Sequence, residues 1–164
     1  MITPATTAAP GPSAARSITH GRYFPVCVVG LGPNPDRPED TRTPNERAAD
    51  ALQALGTLEG NLPPFTLRGV GVWHGTSEPV LVLVDGEWTV EAAKVAGRAA
   101  GQQCIYSHVP GTAAALVYTD GSGRGWVPLG SHGPADAGAG SFTAFEDTNG
   151  TAWRFSAGPG PGRW

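Results

Sequence analysis

The feature that most constrains the fold of this chain is an apolar run over residues 79–84, which directly follows a polar segment over 74–78. Apart from Pro79, the run contains only valine and leucine, a composition typical of a buried strand. The polar segment carries His74 and Glu78 and contains a glycine that favours a turn. Because proteins commonly hold polar chemistry on a turn against a rigid strand, we place the candidate site here.

Local signals predict the other elements. Thr43 as N-cap, Pro44 at the first helical position and Glu46 three residues after the cap form a capping box, which predicts a helix over 44–55. A stripe of small residues ending in glycine predicts a second helix over 89–100. Apolar runs predict strands over 24–31, 65–73, 79–84, 102–109, 113–119 and 126–129, and an Asn-Gly turn predicts a hairpin over 142–147 and 151–155.

These elements define a fold class. We expect an α+β two-layer sandwich with β-α-β-β-α-β order, compatible with a ferredoxin-like arrangement, plus a C-terminal antiparallel hairpin. The 24 glycines and 16 prolines are concentrated toward the ends of the chain, as in flexible segments. The predicted division is a flexible arm over 1–19, a single α+β domain over 20–156 and a Gly/Pro tail over 157–164.

Composition argues against several classes of function. The 11 basic and 14 acidic residues give a net charge of −3 without a basic block, so we expect no nucleic-acid partner. There is neither an apolar run of membrane-spanning length nor a signal-peptide pattern, so we expect a soluble, cytoplasmic protein without a membrane partner. Cys27 and Cys104 lie in separate apolar runs and are expected to be buried thiols. The four histidines have no zinc-ligand spacing, so neither a metal nor another cofactor is expected.

Three short motifs lie in the middle of the chain: an Asn and an Arg at a helix start, a glycine turn before Ser-Glu-Pro, and Gly-Gln before a short strand. Their residues are Asn45, Arg47, Gly75, Ser77, Glu78, Pro79, Gly101, Gln102, Cys104 and Ile105. With these motifs, residues 43–107 resemble an uncharacterised domain family of bacterial and phage proteins. That family has no established activity, so the resemblance implies only that these polar positions are the place to look for a site.

Polar residues at the ends of the predicted elements converge on one edge of the sheet if the elements pack as expected. Asparagine and glutamine offer paired donors and acceptors, a carboxylate accepts from amines or hydroxyls, and an aromatic ring stacks, which suits a small polar ligand such as a nucleotide-like molecule. Each residue also has an ordinary structural explanation as a helix-start, helix-end or strand-edge group. The predicted ligand-binding residues are Asn45, Arg47, His74, Ser77, Glu78, Gln102 and Tyr106.

Two classes of function stay open. The first is binding of a small polar ligand, with or without turnover. The second is a structural or interaction subunit, phage-related in one interpretation, that docks through its terminal arms and C-terminal hairpin with Trp153, Phe155 and Trp164. Catalysis is left open, because His74 and Glu78 form the only local acid–base pair and no serine lies in a nucleophile-elbow motif. A homo-oligomer is compatible with both classes.

Overall fold

The computed structural model describes residues 7–58, 65–73, 75–84, 89–119, 126–136 and 138–157. Its helices and strands are α1 (Pro12–His20), β1 (Val26–Gly30), α2 (Pro44–Gly56), β2 (Phe65–Trp73), β3 (Thr76–Val84), α3 (Thr89–Ala99), β4 (Cys104–His108), β5 (Ala114–Tyr118), β6 (Trp126–Gly130), β7 (His132–Pro134), β8 (Ser141–Glu146) and β9 (Ala152–Ala157). The nine strands form one sheet in the order β6-β5-β4-β1-β3-β2-β8-β9-β7. Every neighbouring pair runs antiparallel.

The central strands β1 and β3 supply two hydrophobic cores, because successive residues of a strand point to opposite faces of the sheet. Val28 and Val82 are register partners and belong to one core. Cys27 and Leu83 are also register partners and belong to the other. Since both faces of β3 are covered, its sequence has the continuous apolar character of a buried strand.

The outer face of the sheet carries α2 and α3, which pack against each other and against β1. The helix predicted over 44–55 is confirmed, with its capping box: Thr43 Oγ1 accepts from the Glu46 backbone N–H, and Glu46 Oε1 accepts from the Thr43 N–H. In α3, a Cβ atom on Gly97 would lie 2.8 Å from Ile105 Cγ2. The small residues of α3 therefore allow the close approach to the sheet that the sequence predicted.

The inner face, which carries α1, curls around its own core. The rings of Tyr106 on β4 and Phe155 on β9 lie 6.0 Å apart, although these strands are far apart in the sheet order. The outermost strands are also consecutive in sequence, because Ser131 alone separates the end of β6 from the start of β7. The sheet is therefore nearly closed.

The predicted α+β two-layer sandwich with a ferredoxin-like arrangement is wrong. The predicted succession is present as β1-α2-β2-β3-α3-β4. However, these four strands are only the middle of a mostly β structure, since β5 and β6 extend one edge while β8, β9 and β7 extend the other. An unpaired strand edge offers hydrogen-bonding groups to further strands, and the chain uses both edges in this way. The C-terminal hairpin itself is confirmed as β8 and β9.

Helix α1 occupies the C-terminal part of a segment that the sequence placed in a flexible arm over 1–19. Pro12 begins the helix, and Gly21 ends it with a left-handed φ of 63°. Ala15 and Ile18 lie three residues apart and are fully buried on the inner face of the sheet. Of the predicted tail, residues 158–164 lie outside the described part of the chain. Across the described residues, no helix has the length and apolar character needed to cross a membrane.

Candidate functional site

A pocket of about 300 Å³ lies on the inner face, near the ends of β1 and β2 and the starts of β3 and β4. It brings together three of the predicted ligand-binding residues, namely Glu78, Gln102 and Tyr106. Its volume is at the lower end of the range for small-molecule sites. The lining residues are Val28, Gly30, Pro33, Asn34, Pro35, Trp73, Glu78, Val80, Gln102, Gln103, Cys104, Tyr106 and Leu116.

Glu78 is the acidic residue of this pocket. It lies on β3 opposite Gly71 of β2, and its Oε2 atom accepts a hydrogen bond of 3.0 Å from the backbone N–H of Gly32. A Cβ atom on Gly30 or on Gly32 would overlap the Glu78 carboxylate. The two glycines at the end of β1 therefore make room for the carboxylate between the strand and the following loop.

Gln102 holds the same loop from the other side. Its Nε2 atom donates to the carbonyl of Gly32 over 2.8 Å, so both backbone groups of Gly32 are bound by predicted site residues. Asn34, two residues further on, donates from Nδ2 to the carbonyl of Gly101 over 2.9 Å. Gly101 follows α3 and has a φ of 80°, which places Gln102 beside the loop. The loop after β1 is thus fixed to the end of α3.

The pocket has an excess of hydrogen-bond acceptors. Burial raises the pKa of Glu78, against the lowering effects of the Gly32 N–H and of the Arg47 charge. No lysine or arginine is among the described residues that line the pocket. Within the described part of the chain, no group donates to Oε1 of Glu78 or to Oε1 of Gln102. These two oxygens are the acceptors that a ligand with N–H or O–H groups would use.

Tyr106 contributes an aromatic wall. Its hydroxyl lies 2.7 Å from Nδ1 of His132. The other ring nitrogen of His132, Nε2, lies 2.9 Å from the carbonyl of Ile18 and must donate to it, so Nδ1 accepts the tyrosine proton. Burial lowers the pKa of His132 to about 4 and raises the pKa of Tyr106 well above its usual range. Both side chains are therefore neutral near pH 7.

Arg47, another predicted site residue, does not line the pocket. Its side chain is 1% exposed, and its Nη1 atom bonds Asp40 Oδ2 at 2.9 Å and the carbonyl of Ala100 at 3.1 Å. Arg42 also binds Asp40, and this hydrogen bond, above all, holds the pKa of Asp40 well below its usual range. The guanidinium of Arg47 therefore joins the loop before α2 to the C-terminal end of α3.

Asn45, Ser77 and His74 are likewise not brought into the described pocket. Asn45 is exposed and accepts a hydrogen bond of 3.1 Å from Arg68 Nη2. Ser77 is exposed on β3, where it lies opposite Val72. His74 lies outside the described residues, so its pairing with Glu78 stays a prediction.

The structure adds residues in and beside the pocket that the sequence reasoning did not choose. Gly32 and Asn34 come from the loop after β1, and their contacts with Glu78 and Gln102 join segments far apart in the chain. A glycine directly after a strand and an Asn-Pro-Asp turn were the available signals. Cys104, expected to be buried, is only partly buried and lines the pocket.

Comparison with known proteins does not identify the site. No family model matches the chain, and no curated protein matches it. The resemblance of residues 43–107 to an uncharacterised bacterial and phage family therefore stays a prediction. The geometry of the pocket carries the functional argument.

Two of the three residues predicted to dock on other chains make contacts inside the fold. Phe155 is 1% exposed and belongs to the inner core. Trp153 is partly buried and donates from its indole nitrogen to Asp147 Oδ2 over 2.9 Å. Trp164 lies outside the described residues. The interaction subunit thus stays a prediction, but Phe155 is not accessible to a partner in this structure.

Proposed function

We propose that the protein binds a small polar molecule that donates hydrogen bonds to Glu78 and Gln102. The observation that carries the proposal is the acceptor pair inside the pocket: the Glu78 carboxylate and the Gln102 amide each have an oxygen to which no described residue donates. A half-buried carboxylate in a pocket that no described lysine or arginine lines is stabilised by a ligand that supplies N–H donors.

The pocket suits a nucleoside-like ligand in size and chemistry. A volume of about 300 Å³ accommodates a planar heterocycle with part of its sugar. The rings of Trp73 and Tyr106 provide aromatic surface, while ring N–H and amino groups of a base match the acceptors of Glu78 and Gln102. We also propose that the protein is located in the cytoplasm.

Thermal unfolding with added nucleosides tests the proposal. Wild-type protein is mixed with adenosine, cytidine or guanosine, and at least one of them should raise the melting temperature. A ligand at about 100 times its dissociation constant adds about 2.7 kcal/mol to the free energy of unfolding. Glu78→Gln should remove this response, because an amide cannot provide the same charged acceptor.

The substitution also has an internal control. Glutamine at position 78 keeps an oxygen for the Gly32 N–H, so the unliganded melting temperature should stay within a few degrees of the wild-type value. Glu91→Gln, at an exposed position of α3, removes the same charge elsewhere and should respond to the nucleoside as wild type does. The proposal fails if no nucleoside raises the melting temperature, or if Glu78→Gln responds as strongly as wild type.

A further inference from the structure

A second cavity, of about 360 Å³, adjoins the pocket. The two cavities share Asn34, Gln102 and Gln103 as lining residues, so these side chains lie where the cavities meet. Unlike the pocket, the second cavity is lined by two guanidinium groups, those of Arg37 and Arg98. We refer to it as the arginine groove.

The two arginines of the groove have hydrogen-bond donors to spare. Arg98, in the last turn of α3, uses Nη1 to bind the carbonyl of Thr119. Within the described part of the chain, its Nε and Nη2 atoms bind no acceptor, and the side chain of Arg37 makes neither a hydrogen bond nor an ion pair. A positive charge is favourable at the C-terminal end of a helix, which explains the position of Arg98 but not that of Arg37. The Arg37 side chain is exposed in the loop after β1.

Several backbone carbonyls around the arginine groove are already occupied. Five backbone carbonyls there accept hydrogen bonds from side chains of the protein, namely those of Gly32, Gly101, Gln102, Gln103 and Thr119. Asp36 is the one acidic residue among the described lining residues, against two arginines. The groove therefore carries a positive charge and unused guanidinium donors, and both features favour an anion.

We infer that the ligand is a nucleoside monophosphate, with its base beside Glu78 and its phosphate between Arg37 and Arg98. This inference rests on the proposed function of the pocket. The Glu78 carboxylate repels an anion within the pocket itself, whereas a phosphate monoester offers several acceptor oxygens to two guanidinium groups. The shared residues Asn34, Gln102 and Gln103 then lie beside the sugar.

Isothermal titration calorimetry with matched ligands tests the inference. Adenosine, cytidine and guanosine are each compared with their 5′-monophosphates, on wild-type protein and on Arg37→Gln. Because charge-assisted hydrogen bonds to phosphate are among the stronger ones, the monophosphate should bind at least about tenfold more tightly than its nucleoside. Arg37→Gln should reduce this advantage and leave the affinity for the nucleoside unchanged. The advantage should also shrink as NaCl is raised.

Two further variants complete the experiment. Arg37→Gln/Arg98→Gln should abolish the advantage of the monophosphate, and its nucleoside affinity shows whether it folds correctly. Arg22→Gln removes one positive charge at an exposed position after α1 and should keep the full advantage.

Different binding results would overturn the inference alone or overturn the proposed function as well. Equal affinity for nucleoside and monophosphate overturns the inference and leaves nucleoside binding in place. An advantage that survives in Arg37→Gln/Arg98→Gln also overturns it, because the phosphate would then lie elsewhere. Absence of binding by all six ligands overturns both.

Discussion

Gly32 is the residue at which the geometry of the pocket is most restricted. Its N–H is bound by Glu78 and its carbonyl by Gln102, and a Cβ atom there would overlap the Glu78 carboxylate. The position therefore requires a residue without a side chain, although no left-handed backbone conformation is involved. A glycine of this kind shapes the binding site without touching the ligand.

Gly32→Ala should displace the Glu78 carboxylate and destabilise the protein. Overpacking of this kind costs about 1–3 kcal/mol, which urea unfolding would measure. Gly133→Ala is the matched control, because a Cβ atom at that position meets no atom within 4 Å. Its free energy of unfolding should stay within about 0.5 kcal/mol of wild type. Equal stability of the two variants would contradict the packing described around Gly32.

Arg47 gives a second prediction at this scale. Arg47→Met should lower the free energy of unfolding by about 1–3 kcal/mol, because it leaves the buried Ala100 carbonyl without its donor, although Asp40 keeps its bonds to Arg42. Arg68→Met removes an exposed arginine with a hydrogen bond to Asn45, so it should cost less than about 1 kcal/mol. If chemical denaturation gives equal losses for both variants, Arg47 does not have the structural role described here.

Individual residues were predictable from the sequence where their type and their position beside the end of an element suggested a role. Glu78 and Gln102 stand beside strand and helix ends, and both line the pocket. The role of Asn34 was not predictable, because its hydrogen bond to Gly101 depends on how the loop after β1 folds over α3. The burial of Arg47 was not predictable either, because its bond to the Ala100 carbonyl joins residues far apart in the chain.

At the scale of elements, α1 is held on the inner face by two histidines, of which His108 is buried and His132 partly buried. His132 donates to the Ile18 carbonyl and His108 to the Gly21 carbonyl, over 2.9 Å and 2.8 Å. The two imidazole rings stack with their centroids 4.4 Å apart. Tyr106 completes the arrangement through its bond to His132. The helix is thus attached at its C-terminal end by side chains of the sheet.

Acid should weaken this attachment. Because burial lowers the pKa of His132 to about 4, below its ordinary value of 6.5, the unfolded chain binds a proton at His132 more readily than the folded chain does. The stability is complete above about pH 6.5 and should fall by up to about 3 kcal/mol as the pH approaches 4. Urea unfolding between pH 4.5 and 7.5 measures the slope.

His132→Gln is the control for the acid effect, because it removes the titrating group and keeps a polar side chain at the position. The variant should show a flatter dependence of stability on pH over the same range. An unchanged slope would assign the acid sensitivity to groups other than His132.

Helices α2 and α1 show what a sequence reveals about an element. The start of α2 was predictable because Thr43 and Glu46 form a complete capping box within four residues of sequence. Helix α1 has no side-chain cap and buries Ala15 and Ile18 as its apolar contacts. So short a stripe stabilises a helix only when a curved sheet covers it, and the local sequence does not report that curvature.

At the scale of the whole molecule, the strand succession was predictable and the closure of the sheet was not. Hydrophobic periodicity locates strands, but it does not say how many of them join one sheet. The ring contact between Tyr106 and Phe155 joins parts of the chain about a third of its length apart. Because of such long-range packing, the sheet curls around its own core and does not form the predicted two-layer sandwich.

Deleting residues 1–20 distinguishes the observed role of the N-terminal segment from the docking role predicted for an arm. The deletion removes α1 and exposes the inner core around Phe155. We expect a lower melting temperature and increased binding of a hydrophobic dye, with the same assembly mass in light scattering. A smaller assembly with unchanged thermal stability would support the docking role instead.

The single residue between β6 and β7 has a consequence for how a ligand would reach the pocket. Consecutive Cα atoms are about 3.8 Å apart, so Gly130 and His132 cannot separate by more than about 7.6 Å. The circumference of the sheet is therefore limited, and the strands cannot spread apart to admit a guest unless a ladder of hydrogen bonds breaks. The loop after β1 borders the pocket through Pro33, Asn34 and Pro35, and its backbone is held by Glu78 and Gln102. A ligand of the pocket would therefore lie beside a loop that its own recognition residues hold in place.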